Sequence, residues 1–159
     1  TESNNLAIKG VALAAVAAGD PRRHLVVSAI EHRCVLAAAE RMAAAHGFEV
    51  TGVPPGPDGI VRADAVAAVL RDDTLLVSVM AVNNEIGTVQ PVADIAARAH
   101  ERGALVHTDA AQAAGRIPLD LAIREGSDRG QPPACGEDAL AAPFHDIAAK
   151  VDAWIRAQG

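Results

Sequence analysis

Two apolar runs joined by a helical segment constrain the fold of this chain more than any other feature. The runs cover residues 75–82 and 104–107. Between them, apolar residues recur at the spacing of one helix face: Val92, Ile95, Ala96 and Ala99. Strand, helix and strand in this order form a βαβ unit, because two parallel strands need a crossover connection. The chain is therefore predicted to contain a buried parallel sheet.

The same alternation of strands and helices extends towards the N-terminus. Two further strands are predicted over 24–30 and 48–53, and three further helices over 1–18, 35–45 and 63–71. Thr1 can cap the first of these helices, and Gly47 can end the second. This order predicts an α/β fold, with an open, mostly parallel sheet and helices on both faces.

Composition and charge exclude several classes of function. The net charge is −6 and the basic residues form no stripe, which argues against nucleic-acid binding. Charged residues interrupt every apolar stretch well before the roughly 20 residues that span a bilayer, so no membrane segment is expected. Cys34 and Cys135 lie far apart and do not form a disulfide framework. A cytoplasmic location is therefore expected.

Polar side chains follow three of the predicted strands. His32 follows the first strand, and Asn84 follows the strand that opens the βαβ unit. Asp109 and Gln112 follow the strand that closes it. In open α/β sheets, ligands bind in the crevice beyond the carboxyl ends of the strands. These residues are therefore candidates for one ligand site.

Four motifs resemble those of a single enzyme family. They read TESNN at 1–5, SAIEHRCV at 28–35, VNNEIGTVQ at 82–90 and HTDAAQ at 107–112. Through these motifs, residues 1–121 resemble the cysteine desulfurases, which are pyridoxal-phosphate enzymes of the class V aminotransferase group. The resemblance implies the N-terminal and central part of the large domain of fold type I pyridoxal-phosphate enzymes. That domain is expected to be incomplete in this chain.

The resemblance also implies cofactor-binding roles for five residues and no metal site. Asp109 would keep the pyridine nitrogen protonated, so that the ring can accept electrons from a substrate bond. Gln112 would hydrogen-bond the phenolic oxygen of the cofactor, and Asn84 would lie near that oxygen and the substrate carboxylate. Thr1 would touch the phosphate, beside the bare amides of a helical first turn that suit an anion. His32 would stack on the ring and is the residue expected to act in catalysis.

Three other side chains in these motifs have competing interpretations. Cys34 is interpreted as a small, buried apolar side chain rather than as a reactive thiol. His107 is interpreted as a structural residue or as a support for residues that contact the ligand. Glu85 could be a catalytic acid, or its carboxylate could brace the backbone of a tight loop.

Two parts of a desulfurase mechanism have no matching motif in this sequence. Pyridoxal-phosphate enzymes hold the cofactor as a Schiff base on a lysine, but Lys9 lies in the first helix and Lys150 near the C-terminus. Cys135 shares only an Ala-Cys pair with the family's sulfur-carrying loop and is interpreted as an incidental thiol. Residues 122–137 are expected to form a disordered linker, and 138–159 a helical tail of unknown origin.

Three hypotheses for function follow. The first is a cysteine desulfurase, which removes sulfur from L-cysteine to leave alanine and an enzyme persulfide for iron–sulfur cluster assembly or other sulfur delivery. Its expected partners are L-cysteine, a sulfur-acceptor protein and a second copy of the chain, and selenocysteine lyase or another class V pyridoxal enzyme is a close alternative. The second hypothesis is an inactive truncated or fused product. The third, an unrelated nucleotide-binding domain, is disfavoured because neither G-x-x-x-x-G-K-[ST] nor G-x-G-x-x-G occurs.

Overall fold

The computed structural model describes residues 1–113, in which helices and strands alternate. The helices are α1 (Glu2–Ala17), α2 (Arg33–His46), α3 (Ala63–Ala67) and α4 (Val92–Glu101). The strands are β1 (His24–Ser28), β2 (Glu49–Val53), β3 (Thr74–Ser78) and β4 (Leu105–His107). The predicted linker at 122–137 and the predicted tail at 138–159 lie outside the described residues.

The strands form one parallel sheet in the order β2-β1-β3-β4. Both central strands, β1 and β3, are buried at every position. Their sequences, HLVVS and TLLVS, carry no charged residue because helices cover both faces of the sheet. The prediction of an α/β fold with an open, parallel sheet is confirmed.

Two apolar layers cover the sheet, one on each face. Helices α1 and α2 pack in the first layer, around Val35, and helices α3 and α4 pack in the second, around Ile95. Successive residues of β1 point alternately into the two layers, as strand geometry requires. Leu25 and Val27 enter the first layer, whereas Val26 enters the second.

Local hydrogen bonds move two predicted helix boundaries. Helix α2 begins two residues earlier than predicted, because the side chain of His32 caps it. Helix α3 ends four residues earlier, because the N–H groups of Val69 and Leu70 bond to the third residue back and tighten the chain. Gly47 ends α2 in the left-handed conformation, as predicted, with φ of 69°. Thr1 occupies the N-cap position of α1, as predicted, but its side chain makes no capping hydrogen bond.

The chain leaves the two central strands in opposite directions. Helix α2 leads from β1 to β2 on one side, whereas α4 leads from β3 to β4 on the other. We call this divergence the β1–β3 split; it comprises residues 29–32 after β1 and residues 79–84 after β3. Such a split opens the crevice in which open α/β sheets bind ligands. It also explains why β3 ends at Ser78 instead of continuing to Val82.

Candidate functional site

A cavity of about 680 Å³ opens beyond the carboxyl ends of the central strands, next to the first turn of α1. This volume is within the range of small-molecule sites. All five residues that the motifs indicated line it: Thr1, His32, Asn84, Asp109 and Gln112. The fold therefore brings together side chains from four separate segments of the chain. Their roles towards a cofactor remain predictions.

Asp109 presents a half-buried carboxylate to this cavity. Its Oδ2 accepts a hydrogen bond of 2.7 Å from Nδ2 of Asn4, and its Oδ1 accepts one of 2.9 Å from the backbone N–H of Ala111. Burial raises the pKa of Asp109, but these donors and the nearby imidazoles of His107 and His32 outweigh burial and lower it. Asp109 is therefore charged at neutral pH, and no Lys or Arg in residues 1–113 forms an ion pair with it.

Asn4 links this carboxylate to the thiol of Cys34. Its Nδ2 lies 2.7 Å from Oδ2 of Asp109 and 3.3 Å from Sγ of Cys34, and the residue is only 8% exposed. The motif comparison did not assign Asn4 to the site. Its phase on the helix could have done so, because it shares the buried face of α1 with Ile8 and Ala12. A polar side chain on a buried face needs a partner inside the protein.

His32 caps α2 and is held by that cap at the edge of the cavity. Its Nδ1 accepts a hydrogen bond of 3.3 Å from the backbone N–H of Cys34 and lies 3.0 Å from the Cys34 thiol. A ring nitrogen that accepts a hydrogen bond from an amide carries no proton, so the neutral ring of His32 is protonated on Nε2. Rotation of the ring would break this hydrogen bond, so the cap fixes the orientation of the imidazole.

The interpretation of Cys34 as a buried apolar side chain is wrong. Its thiol is partly exposed and lines the cavity, within hydrogen-bonding distance of Asn4 and His32. Burial raises the pKa of this thiol, but the hydrogen bonds with Asn4 and His32 outweigh burial, so the pKa is lowered. The first turn of α2 places Cys34 at the margin of the first apolar layer, so its side chain packs against that layer while its thiol also borders the cavity.

Two further polar side chains make hydrogen bonds at or beside the cavity, and one of them, His107, lines it. Nδ1 of His107 lies 2.9 Å from Oγ of Ser78, and burial lowers the pKa of this histidine. Oδ1 of Asn83 accepts hydrogen bonds of 2.9 and 3.0 Å from the backbone N–H groups of Glu85 and Ile86. The bracing considered for Glu85 is therefore made by Asn83, and the side chain of Glu85 is exposed.

Residues 1–113 contain no group of three or more His, Cys, Asp or Glu side chains placed to hold a metal ion. None of the helices in the same range is long and apolar enough to cross a membrane.

Comparison with protein families assigns the chain to a known group. Residues 1–125 match the family model described as Aminotransferase class-V. The chain belongs to the aminotransferase class-V family. Enzymes of this family depend on pyridoxal phosphate.

Curated relatives of this class-V chain include cysteine desulfurases. It is 49% identical over 122 residues to cysteine desulfurase IscS of Pseudomonas syringae pv. tomato, and 51% identical over 121 residues to that of Azotobacter vinelandii. These matches cover 77% and 76% of this chain, but 29% of each relative. The resemblance to the cysteine desulfurases is confirmed, and the chain spans less than a third of these relatives' length.

Solved structures similar to this class-V chain share its fold. The crystal structure of DndA from Streptomyces lividans is 48% identical, with a TM-score of 0.67, and the match covers 76% of this chain and 33% of DndA. The structure of SspA in complex with cysteine is 41% identical, also with a TM-score of 0.67, and the match covers 76% and 34% of the two chains. The fold of this chain therefore matches about a third of each of these structures.

The class-V chain brings no lysine to the cavity from its described residues. Lys9, the lysine within residues 1–113, lies in the middle of α1 and does not line the cavity. Lys150 and Cys135 lie outside the described residues. The side chains available at the cavity are thus those that would bind and orient a ligand.

Proposed function

We propose that this chain is the part of a cysteine desulfurase that binds pyridoxal phosphate and orients L-cysteine. The observation that carries the proposal is the charged carboxylate of Asp109, which Asn4 holds at a cavity shared with His32 and Asn84. Identity of about half to cysteine desulfurases supports L-cysteine as the substrate, with alanine and persulfide sulfur as products.

The donors and acceptors around the cavity fit pyridoxal phosphate. Asp109 is an anion for the pyridine nitrogen, and its two oxygens retain lone pairs for a further hydrogen bond. The first turn of α1, beside Thr1, offers backbone N–H groups to a phosphate, because the first amides of a helix have no partner within it. When bound, pyridoxal phosphate supplies a ring that accepts electrons from a substrate bond.

The other lining residues would orient the ring and the substrate. The imidazole of His32, held by its cap on α2, would cover one face of the ring. Gln112 would hydrogen-bond the phenolic oxygen of the cofactor. Asn84 is exposed at the cavity and would lie near that oxygen and the carboxylate of L-cysteine. Met80 and Val82 add apolar surface that would exclude water from the ring.

A second candidate function is a cofactor-binding chain that does not turn over by itself. The observation that favours it is that no lysine from residues 1–113 reaches the cavity. In this case the chain alone would hold pyridoxal phosphate reversibly, through Asp109 and the first turn of α1. Covalent attachment and sulfur transfer would need groups from outside residues 1–113.

The proposal extends to partners and location. Exposed apolar side chains on α1 and on the edge strand β4, Leu6, Leu13 and Leu105, support self-association as a homodimer. A sulfur-acceptor protein would take the persulfide sulfur for iron–sulfur cluster assembly or other delivery, and the setting would be the cytoplasm. Alanine release from L-selenocysteine but not from L-cysteine would instead identify a selenocysteine lyase.

Equilibrium dialysis of pyridoxal phosphate against the full chain tests the cofactor site. We expect Asp109→Asn to weaken binding about 10- to 100-fold, because it removes a charge-assisted hydrogen bond to the ring nitrogen. Asp94→Asn, on the exposed surface of α4, is the matched control and should bind like the wild type. Equal affinity of Asp109→Asn and the wild type would refute the site.

Borohydride treatment and an alanine assay then separate the two candidate functions. If the chain binds the cofactor without covalent attachment, mass spectrometry after borohydride will find Lys9 and Lys150 unmodified, and no alanine will form from L-cysteine. Stoichiometric labelling of either lysine, lost in Asp109→Asn and accompanied by alanine release, would instead establish a desulfurase active by itself.

A further inference from the structure

The β1–β3 split leaves one backbone N–H group without a strand partner. The N–H groups of Val79 and Ala81 point towards β4 and donate to the carbonyl oxygens of His107 and Asp109, at 3.1 and 2.9 Å. Because N–H groups of an extended chain alternate in direction, that of Met80 points the opposite way. There β1 has already ended, at Ser28.

The side chain of Glu31 takes the place of the missing strand. Its Oε1 accepts the hydrogen bond from the N–H of Met80. A second side chain crosses the split in the other direction, since Nδ2 of Asn83 donates to the carbonyl oxygen of Ile30 at 2.9 Å. Two side chains thus join the segments that leave β1 and β3.

The bridge made by Glu31 has a cost that a purely apolar contact would not have. Glu31 is only 6% exposed, and its Oε2 is buried without a hydrogen-bond partner. Burial outweighs the hydrogen bonds from Met80 and Ser28 and raises the pKa of this carboxyl to about 7. A buried carboxyl with an unpaired oxygen calls for an explanation, because polar groups inside proteins are normally paired.

The position of the bridge supplies that explanation. Glu31 directly precedes His32, and Met80 lies four residues before Asn84. His32 and Asn84 both line the cavity, one from each side of the β1–β3 split. Any change in the distance between the two segments therefore changes the distance between these side chains.

We propose that Glu31 is a positioning residue of the cofactor site, which sets the separation of His32 and Asn84 by bridging the β1–β3 split to the N–H of Met80. This inference rests on the proposed function for its consequence, the affinity for pyridoxal phosphate. The bridge itself can be measured without the cofactor.

The test compares three substitutions in the full chain. Glu31→Gln keeps an oxygen that can accept from Met80, whereas Glu31→Met removes the acceptor at nearly the same volume. Glu40→Gln, at an exposed position of α2, is the control for loss of one carboxylate. If Glu31→Met does not fold, Glu31→Asp replaces it, because its shorter side chain withdraws the acceptor and keeps the carboxyl.

Two measurements are made at about pH 6. Amide hydrogen exchange should be about tenfold faster at Met80 in Glu31→Met than in the wild type, because a buried hydrogen bond is lost. Val79 and Ala81, which bond to β4, should change less and serve as internal controls. The dissociation constant of pyridoxal phosphate should rise about tenfold in Glu31→Met and stay within about threefold of the wild type in Glu31→Gln.

Three results would overturn the inference. They are unchanged exchange at Met80 in Glu31→Met, unchanged affinity for pyridoxal phosphate in that variant, and a Glu31→Gln variant as impaired as Glu31→Met. A wild-type chain that binds no pyridoxal phosphate would refute the proposed function, and the exchange at Met80 would still decide whether Glu31 bridges the split.

Discussion

Replacement of Glu31 by glutamine should remove a large part of the pH dependence of folding stability. The ordinary pKa of a glutamate is 4.5, and burial raises that of Glu31 to about 7 in the folded chain. The folded state therefore holds its proton over a range in which the unfolded state has released it. Glutamine cannot ionise, and its side-chain oxygen can still accept from Met80.

The sign and size of the effect follow from the two pKa values. Well below pH 4.5 both states are protonated and Glu31 adds no pH dependence. As the pH rises from 4.5 to about 7, only the unfolded state ionises, so the free energy of unfolding falls. The full loss is about 3.5 kcal/mol, at about 1.4 kcal/mol per pKa unit. About 2.5 kcal/mol of this loss falls between pH 5 and pH 8.

Urea unfolding of the full chain at several pH values between 5 and 8 measures this effect. We expect the stability of Glu31→Gln relative to the wild type to increase by about 2.5 kcal/mol over that range, whatever constant offset the substitution brings. The other titratable groups around Glu31, namely His32, Arg33, Glu85 and Asp109, are present in both proteins, so their own pH dependence is common to the two profiles. Parallel profiles for Glu31→Gln and the wild type would refute the reasoning, as would an equal change in Glu40→Gln.

Two further predictions concern Asn4 and the second apolar layer. Asn4→Ala should raise the pKa of Cys34, because it removes a hydrogen bond that lowers it, and alkylation of Cys34 by iodoacetamide near pH 7 should slow. Asn5→Ala, at a half-buried position of the same turn, is the control, and an unchanged rate in Asn4→Ala would contradict the assignment. Ile95→Ala should lower the free energy of unfolding by about 2–5 kcal/mol, because this side chain is fully buried. Ile86 is 59% exposed, so Ile86→Ala should lower the free energy of unfolding by less than about 1 kcal/mol. Equal losses in the two variants would show that Ile95 is not in the core.

Most of the fold could be predicted because its signals are local. The runs that became β1 and β3 are short, apolar and bounded by turns, and the helices between them carry apolar residues at helical spacing. Errors were confined to ends, such as the last turn of α3, where hydrogen bonds rather than side-chain pattern decide the boundary. The strand order also depends on the directions in which the chain leaves β1 and β3. No single segment of the sequence encodes these directions.

The candidate site, too, could be predicted from the sequence only in part. Polar residues directly after strands, such as His32 and Asp109, could be identified because the carboxyl ends of parallel strands meet in one crevice. The hydrogen-bond partners of these residues could not be identified from the sequence. Cys34 was misinterpreted because one of its partners, Asn4, comes from α1, and Asn4 was missed because its partner Asp109 lies 105 residues further along the chain.

The sequence by itself determined the α/β alternation, the apolar faces of the elements and the residues that follow each strand, since these depend on neighbours within a few positions. Only the tertiary structure decided which polar groups meet. The contact between Glu31 and the N–H of Met80 spans 49 residues, and it exists because β1 and β3 diverge beyond Ser28. Whether a buried carboxyl is paired, and therefore whether it holds its proton at neutral pH, depends on the few ångströms that separate two such distant segments.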